Sequence, residues 1–326
     1  MIYSDPRVAL ADDWLKGQLN EAFRILPLAD DASFRRYFRV VMGERTLVLM
    51  DAPPGKEDIQ PFMSVRSWMA GAGLHVPELL FADLQQGFLL LEDLGDRTWA
   101  RFLQAGGDVN QLMPDAMRQL HALRSSHVSY LKPFDMARMH LEFDLYLDWY
   151  LPKVAGVRLS EAQKARFHQA IEPLLQQINS LPKVPVHLDF HSRNLMVLFD
   201  NQRLGVIDFQ DAVQGPLTYD LASLLYDCYQ NYPEDQRSVL SRAFFAAMDT
   251  GWQAHFDDAG QWHRLLRLTA MQRHIKAIGI FSRLAYRDGK THFLDEIPLT
   301  RKHLLEAMPL FDIPTDLAQL LSIPPQ

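Results

Sequence analysis

Cysteine is almost missing from this 326-residue chain: Cys228 stands alone, so no disulfide can form within the chain and a reducing compartment suits it. Long apolar runs are missing as well. No stretch reaches the roughly 20 uninterrupted apolar residues that cross a bilayer, and residues 1–10, with Asp5, Pro6 and Arg7, lack the apolar run of a signal peptide. A cytoplasmic protein with no membrane partner is expected. Nor is there an excess of basic charge. The 33 Lys and Arg stand against 40 Asp and Glu, a formal net charge of −7, so no global field favours nucleic acid as a partner. Internal repeats and low-complexity tracts do not occur. What is present is an ordinary globular mixture, 48% hydrophobic and 22% charged, which excludes disorder, a collagen-like repeat and a disulfide scaffold. At about 100–200 residues per domain, the length allows one large or two medium domains.

Strand and helix signals are unevenly spread. The β-prone runs 34–41 and 46–50, joined by Met42-Gly43-Glu44-Arg45, predict a hairpin. Ile59, Phe62, Val65 and Met69 recur at helical spacing through 57–71, ended by Gly71 and Gly73. Two short runs follow at 78–82 and 88–91. Up to Asp93 the chain reads as a small antiparallel sheet with one long helix. Beyond Leu94-Gly95 helices are expected over 98–125, 137–151, 160–178, 218–230, 235–249, 261–287 and 299–309, with one β segment at 184–208 between them. The expected fold is α+β and two-lobed. A sheet-rich N-lobe, 1–94, precedes a larger helical C-lobe, 95–326, hinged at Glu92–Gly95 with a cleft at the joint.

Residues 186–211 carry the most chemistry. His187-Leu188-Asp189-Phe190-His191-Ser192-Arg193-Asn194 leads into a strand, a turn near Asp200-Asn201 and a returning strand that ends at Ile207-Asp208-Phe209. Folding that hairpin places Asn194 nearly opposite Asp208. Two side-chain oxygens there suit a hard cation such as Mg²⁺, which takes one or two protein oxygens plus phosphate and water. Asp189, five residues before Asn194, is placed to accept a proton from an incoming hydroxyl. A base, an amide ligand and a carboxylate ligand are what phosphoryl transfer requires, since positioning and charge neutralisation dominate it. Singly these residues are common turn formers; jointly the pattern is specific.

His-x-Asp-x-x-x-x-Asn with the later Ile-Asp-Phe resembles the catalytic and metal-binding segments of the aminoglycoside phosphotransferase and choline kinase superfamily, small-molecule relatives of protein kinases. The resemblance covers nearly the whole chain. Glu92-Asp93-Leu94-Gly95 is similar to that family's hinge, and Gly215-Pro216 through Tyr219-Asp220-Leu221-Ala222 to its following helix start. It implies a protein-kinase-like fold, Asp189 as base, Asn194 and Asp208 as Mg²⁺ ligands, and backbone groups of Glu92 and Leu94 at the adenine of ATP. His187 and Asp220 would support the catalytic loop. The family's strand lysine is replaced by Met50, and its partner glutamate by a residue near Ser64. Arg35, Arg36 and Lys56 are candidates for the missing cation. Ser33, Phe34, Arg35 and Arg36 lie where the family covers the phosphates, and strand alternation allows only one of the two arginines to face them.

The runs Ser33-Phe34-Arg35-Arg36-Tyr37-Phe38, Leu49-Met50-Asp51-Ala52-Pro53-Pro54 and Asp208-Phe209-Gln210-Asp211-Ala212 narrow the resemblance. They are similar to the anomeric amino-sugar kinases of bacterial cell-wall (peptidoglycan) recycling. That implies phosphorylation of N-acetylmuramate and N-acetylglucosamine at the C1 hydroxyl by ATP, with no obligate protein partner. Substrate contacts are expected from Glu142, Asp144 and Tyr150, and from Arg273 with His274 on a helix whose Arg273, Lys276, Arg283 and Arg287 form a basic stripe. A solvated basic face is the competing reading of that stripe. Trp149 and Tyr150 fit a core equally well, and His121 fits a core histidine. Other functions stay open: a kinase of another small-molecule hydroxyl, a protein kinase, a metallohydrolase using His187 and His191, or a nucleotide-binding scaffold without activity.

Overall fold

Asp5 caps the first helix, α1 (Pro6–Gln18), by accepting the Arg7 N–H at 2.8 Å. The helix lays Val8, Ala11 and Leu15 against alternate residues of a sheet, including Ile25, Val40, Met42, Leu47, Leu49, Phe88 and Leu90. That sheet has five strands, β1 (Arg24–Asp30), β2 (Arg36–Met42), β3 (Arg45–Asp51), β4 (Leu79–Asp83) and β5 (Phe88–Glu92), in the antiparallel order β1-β2-β3-β5-β4. Helix α2 (Gln60–Gly71) buries Phe62, Val65 and Met69, as its spacing predicts. Sequence reasoning missed α1 and β1. Only three of the thirteen residues of α1 are buried, too thin an apolar stripe to read. In β1, Pro27 argues against a strand, and the structure resolves the conflict by placing β1 at the sheet edge with a register shift between Pro27 and Ala29.

The computed structural model describes residues 5–30, 34–199 and 201–326, so Ser33 lies outside the described residues. Contacts divide the chain into two units, one of residues 1–97 with 196–210, the other of 98–195 with 211–326. The hairpin β7 (Leu195–Val197) and β8 (Leu204–Val206) accordingly falls mostly with the sheet unit, a division that differs from a single cut after Leu94. Within that unit Leu94 packs with Met196, Leu198 and Ile207, and Val206 N–H donates to His75 O at 2.7 Å.

The second unit holds helices α3 (Trp99–Gln104), α4 (Val109–Ser125), α5 (Met136–Leu145), α6 (Glu161–Asn179), α7 (Tyr219–Leu225), α8 (Glu234–Ala246), α9 (Thr250–Gln253), α10 (Ala259–Arg287), α11 (Ile297–Ala307) and α12 (Thr315–Leu321). A two-stranded ladder pairs β6 (Lys183–Val186) with β9 (Val213–Pro216). The single helix expected over 98–125 breaks at Gly106, φ +86°, and restarts behind the cap Asp108. After α5 the backbone continues as a π-helical stretch, Tyr146–Val154. The 29-residue α10 packs against α5, α6, α7, α8, α11 and that stretch, so it is buried on most sides. Gly279 makes the closest crossing possible: a Cβ there would lie 2.5 Å from the backbone of Leu145 and Tyr146. Among the described residues no helix is long and apolar enough to cross a membrane.

Candidate active site

The loop between β6 and β7 carries Asp189, and its shape is imposed from α7. Asp220, in the first turn of that helix, accepts the His187 N–H at 2.6 Å and the Leu188 N–H at 3.0 Å. Burial pushes the Asp220 carboxyl up, against the pull of His187 and these two N–H groups. Between them they hold buried Leu188 at φ +79°, a left-handed conformation that costs a non-glycine residue about 1–3 kcal/mol. The loop is then closed by short bonds. Asp189 N–H donates to His187 Nδ1 at 3.2 Å, and Asn194 Nδ2 donates to the Asp189 carbonyl at 3.0 Å. Fully buried Asp227 accepts the Ser192 N–H at 2.9 Å and the Tyr229 N–H at 2.8 Å. Asp227 escaped sequence reasoning because a helix was expected to run on to residue 230, whereas α7 ends at Leu225.

Helix α10 supplies the charge facing Asp189. Arg273 Nη2 and Lys276 Nζ each lie 3.8 Å from Asp189 Oδ1, close enough for strong attraction and too far for a hydrogen bond. Burial opposes the charge on Asp189, but Lys276, then His191, Arg273 and His187, outweigh it and hold the carboxyl well below the usual carboxylate range. The side chain of Asp189 nevertheless keeps 40% of its surface open. Lys276 is itself placed by Glu142 Oε1 at 3.5 Å and the Tyr219 hydroxyl at 3.4 Å. Burial works against its ammonium, and Asp189 and Glu142 more than restore it. Burial pushes the Tyr219 phenol up to about 12. Glu142 Oε2 accepts from Gln272 at 2.8 Å, so buried Glu142 belongs to this network.

Of the basic stripe on α10, Arg273 and Lys276 therefore turn inward, while exposed Arg287 pairs with Asp288. Three of the expected substrate contacts have other partners in the structure. Tyr150 is fully buried, stacks on Tyr146 and donates to Ile323 O at 2.7 Å, so it is core. His274 is fully buried on Tyr226 O at 2.9 Å, and burial drives it well below the usual imidazole range, so it carries no charge for an anion. Asp144 stands two residues from Glu142, about 200° around the helix, and bonds His168 at 2.8 Å instead of joining this network. Trp149 is half-buried in the π-helical stretch. His121, half-buried, stacks on Phe244 at 4.1 Å.

The sheet unit holds the remaining expected residues. Asp208 is exposed two residues after β8 at φ +63°, and Gln210 Nε2 donates to its Oδ1 at 2.8 Å. Phe209 anchors that backbone by packing against Phe62, with ring centroids 5.0 Å apart. Glu92 ends β5; its N–H donates to Glu78 O at 2.8 Å and its carboxylate accepts the Glu78 N–H at 3.1 Å. Asp93 takes the Gly95 N–H at 2.9 Å where Gly95 turns at φ +84°, next to buried Leu94. Met50 is fully buried, so its strand position bears no charge. Arg36 binds Asp51 Oδ2 through Nε at 3.1 Å and Nη2 at 2.5 Å, and Asp5 through Nη1. Arg35, just before β2, is buried with Nε 3.5 Å from Glu57. Phe34 is exposed, with Lys56 Nζ 5.6 Å from its ring centroid.

The chain is similar to several known proteins. The chain is 39% identical over 325 residues to an N-acetylmuramate/N-acetylglucosamine kinase of Pseudomonas aeruginosa, covering 98% of this chain and 94% of that protein. It is 36% identical to the enzyme of the same name from Neisseria meningitidis, covering 88% and 86%. A choline kinase from Streptococcus pneumoniae shares the fold with a TM-score of 0.62 at 10% identity, covering 93% of this chain and all of that one. The model of the phosphotransferase enzyme family matches residues 24–255, sheet and catalytic loop together, and the chain belongs to that family.

Proposed function

We propose that this protein transfers the γ-phosphoryl group of ATP to the anomeric C1 hydroxyl of N-acetylmuramate and N-acetylglucosamine, giving the α-1-phosphate, as a step of cell-wall recycling. The observation that carries the reading is Asp189: a carboxylate kept ionised by Lys276 and Arg273, neither within hydrogen-bonding distance, on a loop whose backbone Asp220 and Asp227 fix. Such a group accepts the hydroxyl proton as the O–P bond forms. An anomeric hydroxyl is more acidic than an ordinary alcohol, and loose phosphoryl transfer asks little of the base. The names of the relatives at 36–39% identity support the choice of sugar.

Asn194 and Asp208 are the residues for Mg²⁺. The Asn194 amide uses its nitrogen on the loop, which supports its oxygen as the ligand atom. Asp208 is an exposed carboxylate, and two hard oxygens match that ion. When bound, Mg²⁺ neutralises charge on the β- and γ-phosphates. Backbone groups of Glu92 and Leu94 receive the adenine, and Arg35 with Phe34 serves the phosphates, where Met50 supplies no cation. Arg273, with Nε buried and unpartnered, is the group for the muramate carboxylate. A cytoplasmic setting follows from the ATP requirement. The test is ADP release with N-acetylmuramate, N-acetylglucosamine, an aminoglycoside, choline and homoserine. The two amino sugars should turn over and the others should not; preference for any of the other three would reject the assignment.

A further inference from the structure

Helices α5 and α6 share a group of side chains that phosphoryl transfer does not use. His140 Nδ1 and His168 Nδ1 face each other at 2.8 Å, with ring planes 65° apart. Behind each ring stands an acid of the opposite helix. His140 Nε2 meets Glu172 Oε2 at 2.8 Å, and His168 Nε2 meets Asp144 Oδ1 at 2.8 Å. The sequence builds this from two i, i+4 pairs, His140 with Asp144 on α5 and His168 with Glu172 on α6, each one turn apart. The group lines an open groove with Ala137, Leu141, Gln169 and Pro173, and both imidazoles are about a quarter exposed, 28% and 25%.

Hydrogen-bond roles follow from these contacts. Each Nε2 donates to a carboxylate, and of the two facing Nδ1 atoms one donates and the other accepts. The two facing Nδ1 atoms thus share one hydrogen between them. A histidine that ligates a metal donates its other ring N–H to a carboxylate, which sets the tautomer and aims the coordinating nitrogen. Both rings here are tied in that way, with their remaining nitrogens converging.

We propose that His140 and His168 bind one transition-metal ion of the Zn²⁺ or Cu²⁺ class through their Nδ1 atoms. The ion takes both Nδ1 lone pairs, the shared proton leaves to solvent, and the doubly charged ion balances the two carboxylates. Imidazole donors select this class over Mg²⁺ or Ca²⁺. At Zn–N lengths of about 2.0–2.1 Å, tetrahedral geometry separates the nitrogens by roughly 3.3 Å, so the partly exposed rings open by about 0.5 Å. Among the described residues no group of three or more His, Cys, Asp or Glu is arranged around one ion. Water from the groove completes the coordination, and Asp144 and Glu172 act from behind. The ion cross-links α5 to α6.

The experiment uses the full chain, free of any affinity tag and stripped of metal. Isothermal titration with Zn²⁺, in buffers of different ionisation enthalpy, should show one equivalent that releases about one proton and is absent from the double variant His140→Gln, His168→Gln. Glu172→Gln keeps both ligands and should weaken this equivalent by about 10–100-fold. Electron paramagnetic resonance of the wild type with one equivalent of Cu²⁺ should show two imidazole nitrogens. An unchanged Zn²⁺ isotherm in the double variant, or a Cu²⁺ spectrum with fewer than two nitrogens, overturns the site. The spectrum is read on the wild type and holds whether or not the variants fold.

Discussion

Asp51 in the sheet unit and Asp189 in the helical unit are each flanked by two cations, and they are held in opposite ways. Asp51 is 1% exposed and its oxygens are consumed by hydrogen bonds from Arg7 Nε at 3.0 Å and Arg7 Nη2, and from Arg36 Nε and Nη2 at 3.1 and 2.5 Å. Asp189 faces Arg273 and Lys276 at 3.8 Å each, with 40% of its side chain open. The first arrangement leaves no lone pair for chemistry and ties α1 to the sheet. The second keeps a carboxylate charged while its oxygens can still take a proton. Charge at a few ångströms keeps a base ionised, and hydrogen bonds turn the same group into a fastener.

Substitution separates the two roles. Asp189→Asn should lower turnover by about 10²–10⁴-fold, the usual range for a general base, with ATP binding little changed in the protein that is folded. Asp51→Asn should do the reverse. Breaking a buried, hydrogen-bonded ion pair costs about 3–5 kcal/mol, read as a lower denaturation midpoint, while the protein that remains folded keeps its turnover. Equal loss of turnover in both variants would erase the distinction.

Lys276→Met sharpens the comparison through pH. Lys276 is the strongest attraction on Asp189, so its removal should raise the Asp189 pKa and move the acid limb of the turnover profile upward. The linkage has a definite sign. A carboxyl whose folded pKa is depressed stabilises the fold above its unfolded value, about 3.9, and that stability is lost as pH falls. The stability gap between wild type and Lys276→Met should therefore narrow as pH drops below about 4. An unmoved acid limb would show that Lys276 does not tune Asp189.

The smallest effect concerns what holds α10 in place. Gly279→Ala puts a Cβ 2.5 Å from the Leu145–Tyr146 backbone and should cost about 1–3 kcal/mol as overpacking. The resulting shift of α10 should also raise KM, since Arg273 and Lys276 ride on the same helix. Gly251→Ala, with open space at its Cβ, should cost nothing.

The sheet hairpin β2–β3, helix α2 and the catalytic-loop hairpin were legible because alternation, apolar spacing and turn residues agree there. Helix α1 and strand β1 were not: three buried residues and a proline at a sheet edge leave little pattern. Asp220 could be picked out only through the resemblance of its surrounding motif, and Asp227 not at all, because a carboxylate that serves a backbone N–H 35 residues away has no local signal there. The stripe on α10 was visible, but its direction was not. Helical spacing gives a face, and only packing shows that Arg273 and Lys276 turn inward while Arg287 stays in solvent. Between Arg35 and Arg36 alternation offers a choice, and the pairing of Arg36 with Asp51 and Asp5 has no signal in the sequence.

The central claim is that Asp189 takes the proton from an anomeric hydroxyl. Phosphorus NMR of the product formed from ATP and N-acetylmuramate tests it most directly. Wild-type enzyme should place phosphate on C1 in the α configuration, and Asp189→Asn should form product about 10²–10⁴-fold more slowly. Phosphate on C6, or undiminished product from the variant, would contradict it.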